Sequence, residues 1–252
     1  IEFRAWDQYS GAASTNGSTQ TADVSTSGGS TAFSANSASG SFIVSAVNDA
    51  PVLDNTEILS LTTINEDLAA PQANATTHST LVSELTGGIS DMDTGAEEGI
   101  AIIATNSNAG SLWFSTDDGA NWSEVGDVAG DNALLLRDTD RLYWQPDENT
   151  NGDLNDALTF RGWDQSDHTG GEGTYVDTDT NGGTSSFSTA TDTVQVSVNP
   201  VNDAPTVNNT TLTLTAINED TASSPTTVSS IMSSLGYDDI DSSDWGIAIT
   251  ST

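Results

Sequence analysis

The chain has 252 residues and carries 37 acidic side chains against four basic ones, for a formal net charge of −33. It has no cysteine and no lysine, which excludes disulfides, zinc–thiolate sites, thiol nucleophiles and Schiff-base chemistry. So negative a chain repels nucleic acid and anionic lipid. No apolar run approaches the roughly 18 residues needed to span a membrane. The roles that remain for so many acidic side chains are metal binding by carboxylates, acid-pair catalysis and solvation of the surface.

Apolar residues alternate with polar ones along most of the chain. Leu59 and Leu61 alternate with serine and threonine, and Val194, Val196 and Val198 do the same. This period of two is typical of half-buried strands. We therefore predict strands at 57–64, 99–105, 111–116, 121–125, 133–136, 141–145, 157–163 and 192–199. Short strands separated by turn signals favour an all-β chain built as antiparallel β-sandwiches.

Two segments do not fit this alternation. Residues 79–85 carry the one helical pattern, of about two turns. Residues 164–191 are rich in Gly, Ser, Thr and Asp, as is the comparable stretch 10–40. Such a composition predicts a long solvated hairpin or loop in each case.

Blocks of the sequence recur in the same order, at a spacing of about 150 residues. Phe3–Gln8 returns as Phe160–Gln165, Val47–Pro51 as Val201–Pro205, Ile64–Asp67 as Ile217–Asp220, and Asp91–Asp93 as Asp239–Asp241. Recurrence on this scale indicates tandem domains. We predict the end of one β-sandwich repeat at 1–49, a complete repeat at 50–203 and the start of another at 204–252.

The acidic and amide residues that recur lie at predicted strand ends and linkers. They are Asp7 and Asp164; Asn48, Asp49, Asn202 and Asp203; Glu66, Asp67, Glu219 and Asp220; and Asp91, Asp93, Asp239 and Asp241. Ca²⁺ takes six to eight oxygens from such groups, so loop ends gathered at one end of a sandwich would form a calcium site. The alternative is that these residues only cap turns. Their recurrence, while the intervening Ser and Thr change, favours calcium.

The recurring blocks resemble the cadherin-like tandem repeats of giant bacterial surface proteins, which include VCBS-type and dystroglycan-type modules. The block Val-Asn-Asp-Ala-Pro after a terminal strand is the most specific feature. The resemblance implies Ig-like or cadherin-like β-sandwiches whose junctions bind Ca²⁺. It assigns to one junction Asp164, Asn202, Asp203, Glu219 and Asp241, and to the earlier one Asp7, Asn48, Asp49, Glu66 and Asp93. The repeat is longer than the usual module.

Two further motifs have a functional and a structural interpretation. Asp177, Asp179 and Asn181, followed by a glycine, match the first half of a calcium loop; a weak calcium loop and a plain turn are equally compatible with them. Ser115–Trp122 matches the Asp-box of sialidase hairpins. In that setting the motif shapes a turn, so we expect a structural role here.

The leading functional hypothesis is a structural one. Calcium-stiffened repeats would form the stalk of a large secreted or cell-surface adhesin or filament, with neighbouring repeats, and other copies in a filament or surface layer, as partners. The alternative is a binding module for a glycan or a partner protein, which would use Trp113, Tyr143 and the 164–191 segment. We expect no enzymatic activity, because no motif places two carboxylates in a cleft.

Overall fold

The computed structural model describes residues 1–167, 171–209 and 211–250. The chain is mostly β with one short α-helix, and its sheets are antiparallel or mixed. It divides into two compact units, Ile1–Val47 and a second that begins at Asn48. No helix in the described part of the chain is long and apolar enough to cross a membrane.

The strands are short, and several consist of only two residues. They are β1 (Glu2–Trp6), β2 (Phe33–Ser39), β3 (Val52–Leu53), β4 (Leu59–Ser60), β5 (Ile64–Asn65), β6 (Thr80–Leu81), β7 (Ile89–Ser90), β8 (Gly99–Thr105), β9 (Gly110–Ser115), β10 (Ser123–Glu124), β11 (Ala133–Arg137), β12 (Arg141–Pro146), β13 (Gly152–Trp163), β14 (Tyr175–Val176), β15 (Asp192–Asn199), β16 (Thr206–Val207) and β17 (Tyr237–Asp238). The helix α1 spans Val228–Leu235.

The second unit contains two larger sheets. One has the order β14-β11-β8-β13-β15-β4, with β5 also paired to β15. Its pairs are antiparallel except that β4 and β5 run parallel to β15. The other sheet has the order β10-β9-β12-β6, and the two-residue strands β3 and β7 pair separately.

One buried hydrophobic cluster draws side chains from both larger sheets. The smaller sheet contributes Leu112, Phe114, Leu142 and Trp144, and the larger one Ile100, Ile102, Leu134, Leu136, Leu158, Phe160, Val194 and Val196. On each strand these are alternate residues, as the period of two requires. Each fully buried side chain of this size contributes about 1.5–3 kcal/mol of transfer free energy, so the cluster is the main source of stability for the unit.

A second hydrophobic cluster shows that the 164–191 segment is not a solvated loop. Phe187 pairs with Trp163 by an isolated β-bridge, and both are buried with Leu135. Val176, in β14, packs against the same cluster, since β14 pairs with β11. For 164–191 the prediction of a solvated hairpin or loop is therefore wrong, because two apolar residues among many polar ones are enough to fix the segment. In the first unit the prediction is confirmed: β2 pairs with β1 as an antiparallel hairpin, and residues 7–26 between them are exposed.

Local structure in the first unit repeats that of the second. Trp6 pairs with Phe33, as Trp163 pairs with Phe187. The Arg4 guanidinium donates to the carbonyls of Ser34 and Ala35, and that of Arg161 to the carbonyls of Ser188 and Thr189. The sequence repeat is therefore also a repeat of hydrogen bonds, and the conserved order of the blocks reflects a shared local structure.

Most predicted strands are confirmed. The strands at 99–105 and 192–199 have the predicted bounds, while 57–64 is divided into β4 and β5. The helix predicted at 79–85 is wrong: β6 is followed there by a 3₁₀ turn, Val82–Glu84. The 204–252 segment contributes β16, α1 and β17 and lies in the same unit as the residues before it.

Candidate metal-binding groups at the ends of the second unit

The first group of predicted ligands is organised by Asn48. Its side-chain amide donates to Asp164 Oδ2 (2.9 Å), to the Ser185 carbonyl (3.2 Å) and to the Asp49 carbonyl (3.2 Å). Asp164 directly follows β13 and is buried, with 4% of its surface exposed. The linker is thus fixed to the end of a core strand by a single amide group.

Asp91 and Asp93 complete this first group. The Asp49 amide donates to Asp93 Oδ2 (2.8 Å), and the Asp93 amide donates to Asp91 Oδ1 (2.7 Å). Asp91 Oδ2 is buried and has no hydrogen-bond partner. A buried carboxylate oxygen without a partner costs free energy, so this atom is available to a cation.

The second group repeats these bonds around Asp203. The Asp203 amide donates to Asp241 Oδ2, and the Asp241 amide donates to Asp239 Oδ1 (3.0 Å). The Asn202 side chain donates to the Asp203 carbonyl (2.8 Å), as Asn48 does to Asp49. The two linkers therefore have the same local geometry.

Asp203 lies among other negative charges. Its Oδ2 is buried and has no hydrogen-bond partner. Burial is the largest cause that raises the pKa of the Asp203 carboxyl above its usual value. Nearby negative charges raise it further; they belong to Asp67, Asp241, Glu66 and Glu148. No basic side chain contributes to this shift, so the repulsion within the group is uncompensated in the protein alone.

Glu66 connects this second group to the sheet. It is 2% exposed, and its Oε1 accepts from the Val201 amide (2.6 Å) while its Oε2 accepts from the Asn151 side chain (2.8 Å). Asp67 has a positive φ of 63°, and its Oδ1 accepts from the Asn149 amide (2.9 Å). The loop between β12 and β13 thus supplies partners to both acids.

The two groups lie at opposite ends of the larger sheet. Asp164 follows the last residue of β13, whereas Asn151 precedes its first residue. A strand of 12 residues spans roughly 40 Å. Asp164 therefore groups with Asn48, Asp49 and Asp93, and Glu66 with Asp203, which is the reverse of the assignment that the resemblance implied.

The remaining predicted ligands belong to neither group. Asp7, in the first unit, accepts from the Tyr9 amide, as Asp164 does from Ser166. Glu219 and Asp220 are exposed, and Asp220 has the positive φ of Asp67, at 61°. The matching local geometry assigns Asp7 and Asp220 to equivalent positions in other copies of the repeat, and Glu219 precedes Asp220 as Glu66 precedes Asp67 in the sequence.

The Asp177–Asn181 loop is stabilised by its own hydrogen bonds. Asp177 Oδ1 accepts from the Asp179 amide (2.8 Å). The Asn181 side-chain amide donates to the carbonyls of Thr178 (3.1 Å) and Asp179 (3.0 Å). These bonds shape a turn, and they engage the nitrogen of the Asn181 amide and not its oxygen.

The alternative hypothesis of a glycan- or protein-binding module depends on two aromatic residues, Trp113 and Tyr143. Tyr143 is 5% exposed, and its hydroxyl donates to the Ala69 carbonyl (3.0 Å). Its ring meets that of Trp122 edge-on at 6.0 Å. The Trp113 indole donates to Gln145 Oε1 (3.1 Å). Because Tyr143 is buried, Trp113 and Tyr143 do not form an exposed aromatic surface on which a sugar ring could stack.

The oxygen-only composition of both groups fits Ca²⁺, which prefers carboxylate, amide and backbone oxygens. Within the described residues, no three His, Cys, Asp or Glu side chains already form a metal-binding cluster. What favours a cation is the buried oxygen without a partner in each group. Glu148 and Asn151 were not predicted as site residues.

Comparison with known proteins finds no match to a protein-family model, to a curated protein or to a solved structure. Fold and geometry therefore carry the functional argument.

Proposed function

We propose that the chain is a stretch of calcium-stiffened β-sandwich repeats from the stalk of a large secreted or cell-surface adhesin or filament. One observation carries the proposal: a carboxylate in the linker, Asp203, has a buried oxygen without a partner and faces acids from the residues on both sides of the linker. We also propose that the repeats belong to the cadherin-like class, because two sheets share one core and the linker residues recur.

Electrostatic repulsion explains how such a junction would work. Without a cation, Asp203 repels Asp67, Asp241 and Glu148, and the linker is destabilised in its compact form. Ca²⁺ would supply positive charge there. The side chains that would hold it are Asp67, Glu148, Asn202, Asp203 and Asp241. These acids would then coordinate the ion instead of repelling one another, and the coordination would fix the angle between successive repeats.

The two observed groups supply complementary parts of one junction. Around Asp203 are the acids from the end of a complete repeat, Asp67 and Glu148. Around Asn48 is the strand-end acid of the repeat that follows a linker, Asp164. Since the two linkers share their local bonds, a full junction would combine both sets. Neighbouring repeats of the same chain are then the principal partners.

The first prediction concerns calcium. Excess chelator is expected to lower the melting temperature and to shorten the particle in small-angle scattering, because the junctions lose their rigidity. At free calcium a hundred times the dissociation constant, binding adds about 2.7 kcal/mol per site to the free energy of unfolding. Calorimetric titration gives the stoichiometry and the affinity.

A pair of matched variants tests the assignment. Asp203→Asn is expected to lose most of the calcium-dependent rise in melting temperature, because it removes the charge at the centre of the second group. Asp127→Asn, at an exposed position that bonds to neither group, is expected to keep that rise. Identical melting curves of the unmodified chain in calcium and in chelator would overturn the proposed function.

A further inference from the structure

Three asparagines of the chain are followed directly by glycine: Asn16, Asn151 and Asn181. In such a pair the side-chain amide can be lost without an enzyme, because the backbone nitrogen of the next residue attacks the amide carbon and glycine has no side chain to hinder it. In a folded chain the reaction also requires that this nitrogen and the side-chain amide are free of other bonds. The three pairs differ in that respect.

Asn16 and Gly17 are the two central residues of a short hairpin turn. The amide of Thr15 donates to the carbonyl of Ser18 (3.0 Å), and the amide of Ser18 donates to the carbonyl of Thr15 (2.9 Å). Among the described residues, the Asn16 side chain and the Gly17 amide have no hydrogen-bond partner. Both groups that must react are therefore available.

The surroundings of this turn leave it room to move. Residues 7–26 are all exposed, and a Cβ placed on Gly17 would meet no atom within 4 Å. Gly17 has a φ of 86°, in the region that glycine adopts without strain. The turn can therefore change its backbone angles for the attack without disturbing a packed side chain, and it is open to water.

Asn181 is held on both sides of the bond that would break. Its side-chain amide donates to the carbonyls of Thr178 and Asp179, and the Gly182 amide donates to the carbonyl of Phe187 (2.8 Å). Phe187 is buried in the second hydrophobic cluster. The attacking nitrogen and the leaving amide are thus both engaged in a segment that the core fixes, so the reaction requires local opening first.

Asn151 is held by a buried acid and by the sheet. Its side-chain amide donates to Glu66 Oε2 (2.8 Å), and Glu66 is itself buried. Gly152 begins β13, where it pairs with Val198. Loss of the Asn151 amide therefore requires that the bond to Glu66 and the end of this strand pair open.

We propose that Asn16 is a site of spontaneous deamidation, and that the fold protects Asn151 and Asn181 from the same reaction. The Gly17 nitrogen forms a bond to Asn16 Cγ while the Cγ–Nδ2 bond breaks, and Nδ2 leaves as ammonia with the proton of the Gly17 N–H. Water then opens the resulting five-membered imide at either carbonyl. Opening at Cγ gives aspartate, and opening at the backbone carbonyl gives isoaspartate, in which the chain continues through Cγ.

The reaction changes the loop and not the core. Either product adds one negative charge to a chain that already carries −33. Isoaspartate also lengthens the backbone within the turn, so the pairing of Thr15 with Ser18 is expected to be lost. Because residues 7–26 are all exposed, the melting temperature is expected to stay unchanged. Asn16 is not a proposed calcium ligand, so the inference is independent of the proposed function.

Ageing of the full chain tests the assignment. The chain is incubated at mildly alkaline pH, in buffer and in concentrated urea, and is then cut at acidic residues under mildly acidic conditions that stop the reaction. Mass spectrometry of the peptides measures conversion at each of the three asparagines. Labelling with protein isoaspartyl methyltransferase measures the isoaspartate formed.

In the folded chain, Asn16 is expected to convert about ten-fold faster than Asn151 and Asn181 or more, because those two react only from an opened state. In urea the three rates are expected to converge. Conversion of Asn16 no faster than that of Asn181 in the folded chain would overturn the proposal. The same difference between the sites in urea would do so too, since it would owe nothing to the fold.

Two variants locate the reaction at this turn. Gly17→Ala is expected to slow conversion of Asn16 by about ten-fold, because a methyl group hinders the attacking nitrogen and alanine rarely adopts the φ of 86°. Thr19→Ala, exposed in the same loop, is the matched control and is expected to convert at the rate of the unmodified chain. Equal rates at Asn16 in the two variants would contradict attack by the Gly17 nitrogen.

Discussion

Three carboxyl groups of the second unit differ in how their oxygens are satisfied. Glu66 has both oxygens bonded, and Asp203 has one buried oxygen without a partner. Asp140, at the turn between β11 and β12, is 3% exposed, and its Oδ2 accepts from the Arg137 amide (2.7 Å). Burial is the largest of the causes that raise the pKa of Asp140 to about 6; the charges of Glu172 and Asp138 add to it, while the bond to the Arg137 amide and the Arg137 charge oppose it.

The raised pKa of Asp140 makes stability depend on pH. Because the folded-state pKa lies above the ordinary value of 3.8, this group's contribution to stability is complete below about pH 3.8 and is lost as the pH rises through about 6. Asp140→Asn keeps an acceptor for the Arg137 amide and carries no charge. It is expected to raise the free energy of unfolding at pH 7 by about 2–3 kcal/mol.

Denaturant unfolding between pH 4 and pH 8 measures this effect. The difference between Asp140→Asn and the unmodified chain is expected to grow as the pH rises from about 4 to about 6 and to stay constant above that. Asp131→Asn, at an exposed position whose charge is not among the causes of the Asp140 shift, is the control and is expected to change stability little. A difference that stays constant across the pH range would contradict the assignment.

At the scale of the element, the turn between β9 and β10 is held by side chains of the Asp-box motif. Ser115, 2% exposed, accepts from the Gly119 amide (2.8 Å) and donates to Asp117 Oδ1 (2.8 Å). Asp117 in turn bonds Asn121. The motif shapes the hairpin, and Asp118, a second aspartate within it, pairs with Arg141 at 2.6 Å.

Ser115→Ala tests this hairpin. It leaves the buried Gly119 amide without an acceptor, which costs about 1–3 kcal/mol. Ser111→Ala, on the same face of the same strand, removes no side-chain hydrogen bond described here and serves as the control. Urea unfolding of the two variants gives the comparison, and equal midpoints would contradict the role of Ser115.

The sequence predicted long strands well and short ones poorly. β15 alternates over eight residues, enough for a period of two to be visible, and β8 is a continuous apolar run long enough to indicate a buried strand. β3, β7 and β14 have two residues each and leave no such pattern. They form because chain segments meet in space. The same reason accounts for Phe187, which packs on Trp163 from a segment whose composition is that of a loop.

Comparison of the repeats identified the acidic positions but not which of them lie close together in space. A repeat comparison identifies which acids matter, yet it does not state at which end of a strand each one lies. Asp164 and Glu66 were exchanged for that reason. Glu148 and Asn151 lie in a stretch of which the chain contains one copy, so no comparison could mark them. Their role follows only from the loop that returns beside Glu66.

At the scale of the whole molecule, the charge of −33 has two parts. A minority of the acids converge at the ends of the second unit, where a divalent cation would offset their repulsion. The others are distributed over the surface, and at the ionic strength of 1 M their interactions are screened within about 3 Å. In the proposed junction, calcium would account for the arrangement of these acids, while screening by salt would make the rest of the charge tolerable.

The few basic side chains are all engaged within the fold. Arg137 and Arg141 form ion pairs with Glu172 and Asp118, and Arg4 and Arg161 donate to backbone carbonyls. Each of the four lies within a β-strand. The surface thus presents negative charge without free cationic side chains among the described residues.

This placement of arginine has a consequence for proteolysis. A protease that cuts after basic residues finds only four sites, and each must leave its strand before it can be cleaved. Trypsin is therefore expected to digest the folded chain slowly, at a rate set by local opening. A protease specific for acidic residues, which abound in exposed loops, is the control and is expected to cut readily. Equal tryptic rates for the folded and the denatured chain would contradict this. Because the chain has no lysine, trypsin has few cleavage sites, and this protects the folded chain from digestion.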